Sequence, residues 1–351
     1  MRERIRQPKW KTVEYSRNQI IKAGKTVRKD NVSEPEMENA VLVIDNWRAA
    51  HAYPLHVIYM NLRHMAASKP NIVVAERLKR LESILAKLRR ETSMSLWEIQ
   101  DLGGCRFIVP TVDDVYAYAE RFARSRIRHV LRNTYDYLEC PKRSGYRSLH
   151  VVYEYHSDTN DTYNRNMLIE IQFRTHLQHV WATAVETMGL FTKEAIKSGQ
   201  GPEDVKRFFA LTSSLFALSE GLPVVPGTSD NEDELIAEIR ELDQKNRYLE
   251  FLRGIKVAVN AQGKDKEAKH KPSYYILILN YNTHMLSIRR YMASQFEEAN
   301  ATYKAIEKTK ADSKIDAVLV RVSSFETLKT AYPNYFSDIG EFVSLVSSYI
   351  A

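Results

Sequence analysis

The alternation of apolar and polar residues in the middle of the chain predicts a sheet flanked by helices. Apolar side chains recur at every second position, as strands require, or in short apolar runs, at 105–109, 129–131, 148–155 and 167–174. Helical spacing is indicated at 112–124 and from His176 to about Lys197. Interleaved signals of this kind are typical of an α/β or α+β domain, with a mixed sheet of four or five strands.

Helical patterns precede this sheet. Residues 36–68 read as helical, and Pro54 predicts a kink or a break within them. Residues 73–90 read as one further helix, because leucines recur there at helical spacing. Its predicted apolar face is Leu78, Leu81, Leu85 and Leu88.

A second, smaller module is predicted at the carboxyl end. Residues 221–234 combine glycines, prolines and an acidic cluster, which indicates a linker. The predicted elements after it are a helical stretch at 235–260, a polar loop at 261–273, strands at 274–279 and 317–322, and helices at 294–308 and at the end of the chain. The predicted organisation is a basic extension at 1–34, a main domain at 35–220, the linker, and a C-terminal α/β regulatory module at 235–351.

Composition narrows the class of protein. The 351 residues are 44% hydrophobic and 27% charged, as in soluble globular proteins. Cys105 and Cys140 are the only cysteines, which favours a reducing cytoplasm over a disulfide framework. Because no apolar run approaches about 20 residues and the start lacks the apolar core of a secretory signal, we expect no membrane association.

The positive charge is unevenly distributed. The net charge is +7, and residues 1–30 contain ten Lys or Arg against three Asp or Glu. Such an arm is either solvated or binds nucleic acid. A second basic run at 121–132 holds five arginines and no acid. It suits the phosphates of a nucleic acid, or it is a solvated helix end followed by an edge strand guarded by cations.

Polar side chains share one face of the predicted sheet. If the strands pair, that face carries Arg106, His150, Glu170, Gln172 and Arg174. The alternative is an antiparallel face that is merely open to solvent.

A basic stripe precedes the sheet. Lys79, Ser83 and Lys87 are four residues apart, and Arg77 lies close by. Cations and a hydroxyl in this arrangement suit a triphosphate, although a solvated basic face gives the same pattern. A GxxxxGK[ST] loop is absent, which excludes a Walker-type site.

Two acidic residues complete the candidate chemistry. Asp101 stands just before one strand and Glu170 projects from another. Carboxylates that converge on bound phosphates are what Mg²⁺ needs. Taken singly, Asp101 could be a turn residue and Glu170 a surface residue.

The loop at 141–148 adds groups that could hold a nucleotide. Lys142, Arg143 and Arg147 offer charge to phosphate, and Gly145 permits a tight turn. Tyr146 offers a ring on which a base could stack.

Four segments in this order resemble the synthetase domain of RelA/SpoT-type pyrophosphokinases. They are RLKRLESILAKL, IQDLGGCRFIV, YDYLECPKRSGYRSLH and IEIQFRTHLQHVWA, spread over residues 75–190. The resemblance implies transfer of the β,γ-pyrophosphate of ATP to a ribose 3′-hydroxyl, with release of AMP. None of the ten histidines is followed by Asp, so the chain resembles the synthesis-only small alarmone synthetases.

The resemblance also implies roles for residues. Arg77 and Arg106 would sandwich the adenine, and Asp101 and Glu170 would bind Mg²⁺, with Glu170 also the candidate base. Tyr146 would stack on the acceptor base. The implied ATP-binding set is Arg77, Lys79, Ser83, Lys87, Arg106, Lys142, Arg147, His150, Gln172 and Arg174.

Two acceptors are compatible with this chemistry. One is GDP or GTP, which would give a (p)ppGpp alarmone, and the other is the 3′ CCA end of tRNA. The basic run at 121–132 suits the phosphates of tRNA, and the resemblance of the C-terminal segment described next favours tRNA over a nucleotide. The candidate contacts are Arg121, Arg124, Arg126 and Arg128.

A short segment near the carboxyl end, AYPNYFSD, carries Tyr332 and Tyr335. Its Tyr-x-x-Tyr spacing resembles the antitoxin-like end of fused, capsid-triggered defence toxins of the CapRel type. The implied role is to occupy the ATP site until a phage protein, such as a capsid protein, binds the module. The alternative is that both tyrosines pack in the core of the module. The hypotheses are therefore an autoinhibited tRNA pyrophosphokinase toxin, an alarmone synthetase with a regulatory module, and a non-catalytic RNA-binding protein.

Overall fold

The computed structural model describes residues 10–67, 69, 71–192, 201–254, 258–261, 274–280, 283, 285–309, 315–336 and 339–351. Its helices are α1 (Arg17–Thr26), α2 (Glu34–Ala50), α3 (Ala52–Met65), α4 (Leu81–Arg90), α5 (Val112–Ala123), α6 (His176–Thr192), α7 (Glu203–Ser219), α8 (Glu232–Asn246), α9 (Tyr248–Gly254), α10 (Phe296–Thr309), α11 (Phe325–Ala331), α12 (Pro333–Phe336) and α13 (Gly340–Ile350). Its strands are β1 (Val73–Leu78), β2 (Gly103–Val109), β3 (Val130–Asp136), β4 (Leu149–Glu154), β5 (Leu168–Thr175), β6 (Ala258–Ala261), β7 (Tyr274–Asn280), β8 (Met285–Tyr291) and β9 (Ile315–Arg321).

One mixed sheet runs through the described part of the molecule. Its nine strands lie in the order β3-β4-β5-β2-β1-β9-β7-β8-β6. The β2–β5 and β6–β8 pairs are parallel, and the other pairs are antiparallel. The predicted mixed α+β fold is therefore confirmed. The predicted sheet of four or five strands corresponds to β1–β5, and the C-terminal strands extend it.

The prediction of a single helix over 73–90 is wrong in its first half. Residues 73–78 are strand β1, and the helix begins only at Leu81. The leucine spacing that suggested a helix is real from Leu81 onward, but Leu78 lies on the strand. Sheet pairing on both sides of β1 decides the outcome, because β2 and β9 take up its backbone groups.

The predicted break at Pro54 is confirmed. Helix α2 ends at Ala50 and α3 begins at Ala52, so that Pro54 lies in the first turn, where a missing N–H costs little.

The predicted basic extension is part of the core from residue 10 onward. Helix α1 begins with a capping box between Ser16 and Gln19. Ile20 and Ala23 of this helix are buried beside Leu96. Residues 1–9 lie outside the described part of the chain, so the proposed role of the basic arm there stays a prediction.

The C-terminal elements correct three predictions. The helix predicted at 235–260 is α8 and α9, with Arg247 in the left-handed region between them, and residues 258–261 are strand β6. Strand β8 was not predicted, because its central Arg289 and Arg290 interrupt the apolar alternation. Apart from Ala261, the predicted polar loop at 261–273 lies outside the described residues.

The predicted linker is a tight connection between α7 and α8. Val225 within it is buried, and its N–H donates to Ser214 Oγ of α7 over 2.9 Å. Helices α8 and α13 then pack on α6 and α7 in one apolar cluster. The domain boundaries stay a prediction, and the sheet and this cluster join the parts on either side.

The C-terminal part holds β1 from both faces of the sheet. On one face, α10 forms ion pairs with α2: Glu307 lies 3.0 Å from Arg48, and Lys304 lies 2.5 Å from Asp45. On the other face, α11 and α12 pack over Ala75 of β1. The site described below is on this second face.

Within the described ranges, the molecule has no helix that is both long enough and apolar enough to span a bilayer.

We predict that Gly145→Ala destabilises the protein strongly. Gly145 has φ +88°, and a Cβ there would lie 2.7 Å from Trp181 Cζ2 and 2.9 Å from Ser213 Cβ. Left-handed strain and overpacking together should lower the free energy of unfolding by roughly 2–4 kcal/mol. Chemical denaturation measures this loss.

Gly227→Ala is the matched control for this prediction. Gly227 has φ +90° but no atom within 4 Å of the added Cβ. Only backbone strain of about 1–2 kcal/mol is then expected. Equal losses in the two variants would show that the packing of the 141–148 loop against α6 and α7 contributes nothing.

Candidate active site

A row of paired residues crosses the sheet on the face beneath α11. In register, it runs Ala75, Arg106, Gln172, His150 and Tyr135, from β1 to β3. The predicted convergence of Arg106, Gln172 and His150 on one face is thus what the strand register produces.

The next row on the same face contains a gap at Gly104. Arg77 and Glu170 flank this glycine on neighbouring strands. Because Gly104 has no side chain, a cavity of about 340 Å³ opens above it. The cavity is lined by Arg77, Lys79, Asp101, Gly104, Cys105, Arg106, Glu170 and Gln172. Both predicted carboxylates therefore face one cation-rich space.

Asp101 is held by two lysines. Lys79 Nζ lies 2.5 Å from one carboxylate oxygen and Lys87 Nζ lies 3.2 Å from the other. Burial alone would raise the pKa of Asp101, but the two ammonium groups outweigh it and hold that pKa well below its usual range. Lys79 precedes helix α4, so the predicted helical stripe is wrong as geometry, although Lys79 and Lys87 do meet at Asp101. Ser83, also half-buried, lies in the first turn of α4.

Glu170 is the centre of a hydrogen-bonded chain. His150 Nδ1 donates to Glu170 Oε1 over 2.9 Å, and Gln172 Nε2 donates to Oε2 over 2.6 Å. Nε2 of the same ring lies 2.8 Å from the Tyr146 hydroxyl, within hydrogen-bond distance. Burial opposes ionisation of Glu170, yet His150 and Gln172 hold its pKa below the ordinary value. Glu170 is therefore a carboxylate at neutral pH, held in one orientation.

Tyr146 is placed differently from its predicted stacking role. It is only 4% exposed, in the apolar cluster with Trp181 and Phe209. Burial raises the pKa of Tyr146 to about 12, so its hydroxyl is protonated at neutral pH. In this conformation the ring has no open face for a base. Its stacking role stays a prediction that requires the loop to move.

Two predicted ATP ligands, Arg147 and Arg174, do not line the cavity. Arg147 is buried and donates to Ser213 Oγ, to the Leu138 carbonyl and to the Pro223 carbonyl, so it anchors the loop to α7. Arg174 is also buried, and its Nη2 donates to His179. The Nε and Nη1 atoms of Arg174 have no hydrogen-bond partner among the described residues.

Lys142 remains exposed at the entrance to the site. Its Nζ lies 4.4 Å from the ring centroid of Tyr137 and 5.5 Å from that of Tyr146. Tyr137 was not predicted as a site residue. Its position two residues after Tyr135, on the polar face of the sheet, is the sequence signal that could have identified it.

The carboxylate set fits a magnesium ion that is shared with a nucleotide. Asp101 and Glu170 supply two hard oxygen donors, and the surrounding lysines and arginines would hold phosphates that complete the coordination. In the described ranges no group of three or more His, Cys, Asp or Glu side chains is arranged to hold a metal ion.

The predicted acceptor arginines lie at the edge of the sheet. Arg121 lies in the last turn of α5, Arg124 pairs with Glu120, and Arg128 pairs with Asp158. All of these side chains, and Arg126, are exposed. They lie where β3 begins, and the Gln100 side chain beside Asp101 donates to Asn133 of the same strand.

The C-terminal segment 330–332 covers the adenine end of the predicted ATP site. The Arg106 guanidinium lies 5.1 Å from the ring centroid of Tyr332, and its Nη1 donates to the Ala331 carbonyl over 2.9 Å. His179 Nε2 donates to the Thr330 carbonyl over 2.6 Å. Sequence reasoning predicted the tyrosine and missed His179 and the two carbonyls, because backbone acceptors leave no sequence signal.

Tyr335 has a different set of contacts. Its hydroxyl donates to Asp316 Oδ2 over 2.7 Å, and Asp316 forms an ion pair with Arg80. Both tyrosines also belong to the apolar cluster of the C-terminal strands. Both tyrosines therefore pack in the core of the C-terminal part, and Tyr332 also lies over Arg106. Occupation of an ATP site by these tyrosines stays a prediction.

Residues 76–193 match the protein family described as "Region found in RelA / SpoT proteins". Among curated proteins, the GTP pyrophosphokinase YjbM of Bacillus subtilis is 38% identical over 137 residues, which are 38% of this chain and 61% of the relative. The GTP pyrophosphokinase YwaC of the same organism is 34% identical over 114 residues, which are 30% of this chain and 52% of the relative. The chain thus spans less than two thirds of either relative.

Solved structures give a similar list. The small alarmone synthetase 1 of Bacillus subtilis is 26% identical, with a TM-score of 0.42, covering 56% of this chain and 94% of the other. A GTP pyrophosphokinase family protein from Streptococcus pneumoniae is 25% identical, with a TM-score of 0.39. The match covers 57% of this chain and 94% of the other. These TM-scores are too low to support an argument from superposition.

We predict that Asp101→Asn destabilises the protein at neutral pH and not in acid. The change removes two charge pairs from a side chain that is 24% exposed, at a cost of roughly 1–3 kcal/mol, between values for surface and buried pairs. The pKa of Asp101 is lowered by folding, so its contribution is complete above the ordinary value of 3.8 and is lost as pH falls below it.

The measurement is the unfolding free energy of both proteins from pH 7 down to pH 3. The difference should shrink as the pH falls below about 4. Glu170 and the other carboxylates titrate in both proteins, so the comparison isolates Asp101. A difference that stayed constant over this range would contradict the charge pairing.

Proposed function

We propose, from the RelA/SpoT region that this chain contains at residues 76–193, that the protein is an ATP-dependent pyrophosphokinase. The observation that carries the proposal is the meeting of Asp101 and Glu170 in one cavity rich in Lys and Arg. Phosphoryl transfer depends mainly on positioning and on charge stabilisation, and this cavity offers both. The names of the relatives YjbM and YwaC agree with this class of reaction.

In the proposed reaction, a ribose 3′-hydroxyl attacks the β-phosphorus of ATP. The bond from that phosphorus to the α,β-bridging oxygen breaks, and AMP leaves. Glu170 accepts the hydroxyl proton, and the His150–Tyr146 pair keeps the carboxylate oriented. Lys79, Lys87 and Arg77 balance phosphate charge, and Mg²⁺ held by Asp101 and Glu170 would add further neutralisation.

We propose tRNA as the acceptor, at its 3′ CCA end. The support is the exposed arginines around 121–128, which precede the edge strand β3. Polynucleotide phosphates need such a surface, whereas a single nucleotide does not. The product would be a tRNA that cannot be charged, so translation would stop.

A guanine nucleotide is the second candidate acceptor. The two curated relatives are named GTP pyrophosphokinases, which favours GDP or GTP and a (p)ppGpp product. The catalytic groups would be the same in both cases, so only the acceptor side differs.

We further propose that the C-terminal part is an inhibitory module of a fused toxin–antitoxin defence system. The support is the position of Tyr332 over Arg106, because a ring there would exclude adenine from the same guanidinium. Binding of a phage protein, such as a capsid protein, to the module would then release the site in the cytoplasm. The ion pairs Arg80–Asp316 and Arg48–Glu307 would have to open for this release.

The first test uses ATP labelled at the γ-phosphate, with deacylated tRNA and GDP as alternative acceptors. Label on tRNA supports the toxin, label on the nucleotide supports the alarmone synthetase, and no label supports a non-catalytic RNA-binding protein. Glu170→Gln should lower transfer by about 10²–10⁴-fold, because the base is lost while the side-chain shape is kept.

Glu186→Gln serves as the control for Glu170→Gln. Glu186 lies near Arg106, at 3.7 Å, but does not line the cavity. Normal transfer by a folded Glu170→Gln variant would remove Glu170 from the mechanism.

The second test asks whether Tyr332 inhibits the enzyme. Tyr332→Ala removes a cation–π contact of about 0.5–2 kcal/mol, so ATP affinity and pyrophosphate transfer should rise by several-fold or more. Calorimetric titration with a non-hydrolysable ATP analogue measures the affinity. Toxicity on expression in cells should rise in parallel.

Tyr332→Phe is the matched control, because it keeps the ring and loses only a long contact of 3.4 Å to the Glu76 carbonyl. It should remain inhibited. Tyr335→Phe should release the site more weakly, through loss of the Asp316 hydrogen bond. A folded Tyr332→Ala variant with unchanged ATP affinity would end the inhibitory proposal. Truncation near residue 228 is a poorer test, because it removes α8 and α13 from the core on α6 and α7.

A further inference from the structure

The C-terminal segment covers only one end of the site. Around Arg106 it leaves little exposed surface: Ala331 and Tyr332 are buried, and Arg106 is 6% exposed. At the other end of the same row, residues 131–134 of β3 are exposed and Tyr135 is half-buried. Strand β3 is the edge of the sheet, so no described element lies beyond it. The covered end is that of the proposed ATP, and the open end is that of the proposed acceptor.

Two tyrosines line the open end. The rings of Tyr135 and Tyr137 are parallel within 4°, with centroids 6.1 Å apart, and both side chains are half-buried. Tyr137 also makes an edge contact with His150, the residue that holds Glu170, with centroids 5.2 Å apart. The two rings therefore lie between Glu170, the proposed general base, and the edge of the sheet. Tyr146 cannot take this part here, because its ring is buried and its hydroxyl is engaged.

Cations accompany the two rings. Lys142 Nζ lies over Tyr137 and is exposed, and Arg126 and Arg132 are exposed near the other end of β3. Aromatic side chains in sequence along a positively charged surface are how proteins hold single-stranded nucleic acids. A mononucleotide needs one ring, whereas two rings in line suit two successive bases.

We propose that Tyr137 and Tyr135 stack two successive bases at the single-stranded 3′ end of an RNA, and that this track stays open while Tyr332 covers Arg106. The inhibited protein therefore binds its acceptor without ATP. The proposal rests on the proposed transfer to a ribose 3′-hydroxyl for its meaning, but the binding that it predicts does not require catalysis.

The experiment is fluorescence anisotropy of the full chain with a fluorescein-labelled single-stranded RNA of about twelve nucleotides, without ATP. Tyr137→Leu and Tyr135→Leu, which keep apolar bulk and lose the ring, should each weaken binding by roughly 5- to 150-fold, the stacking contribution of one base. Tyr137→Phe and Tyr135→Phe should bind normally. Tyr349→Leu, a half-buried tyrosine of α13 outside the proposed track, is the control and should also bind normally. Thermal melting confirms that each variant is folded.

Two further measurements test whether the track is open in the inhibited state and whether it binds RNA in preference to a nucleotide. Tyr332→Ala should leave RNA affinity within about twofold of the parent while it raises ATP affinity; a large gain in RNA affinity would show that the track is closed in the inhibited state. Competition with GDP should displace the RNA weakly. The two-base track would be overturned if GDP displaced the labelled RNA at least as effectively as unlabelled RNA does. It would also be overturned if both Leu variants bound RNA normally.

The outcomes separate this proposal from the proposed function. RNA binding that depends on both rings, with no label transferred from ATP to any acceptor, would retain the track and reject the pyrophosphokinase. Transfer of label to GDP, together with RNA binding that does not depend on either ring, would retain the pyrophosphokinase and reject the track.

Discussion

The pairing of β1 with β9 is the contact on which the arrangement of the site depends. It consists of only two residue pairs, Glu76 with Arg321 and Arg77 with Val320, whereas β7 and β9 pair over seven. Arg77 therefore serves in two places at once: its backbone joins the C-terminal strands to the sheet, and its side chain lines the cavity. Separation of the C-terminal part would break this short junction and would act directly on a residue of the site.

A cluster of arginines beside this junction is contacted by electron-rich groups of the C-terminal segment 330–332. Arg77, Arg106 and Arg174 lie near one another with few carboxylates to balance them, and the proximity of Arg106 and Arg77 to Arg174 helps, after burial, to lower the pKa of that guanidinium to about 10. The carbonyls of Thr330 and Ala331 and the ring of Tyr332 supply the electron-rich groups that a nucleotide would supply. Under the proposed function, this segment would take the place of the nucleotide, and the two would exclude each other.

Much of the proposed site could be predicted because it lies on strands. Alternation along β2, β4 and β5 fixes the side on which Arg106, His150 and Glu170 project, and neighbouring strands in a sheet cannot alter it. The 73–90 prediction failed for the opposite reason. The strand β1 is determined by partners distant in sequence, among them β9, and leucine spacing carries no record of them. The sequence likewise could not show that Arg147 and Tyr146 are buried, because their partners on α6 and α7 are distant in sequence.

The short junction has a consequence for how the molecule could open in a crowded cell. With β9 removed, β1 would become the edge of a five-stranded sheet, in which the backbone groups of Glu76 and Arg77 lose their partners next to the apolar run Val73, Val74 and Ala75. Bare, flat, apolar edges of this kind recruit strands from other chains. Full detachment would therefore invite self-association, and only a small displacement of α11 and α12, or a partner that shields the exposed strand, would keep the opened protein in solution.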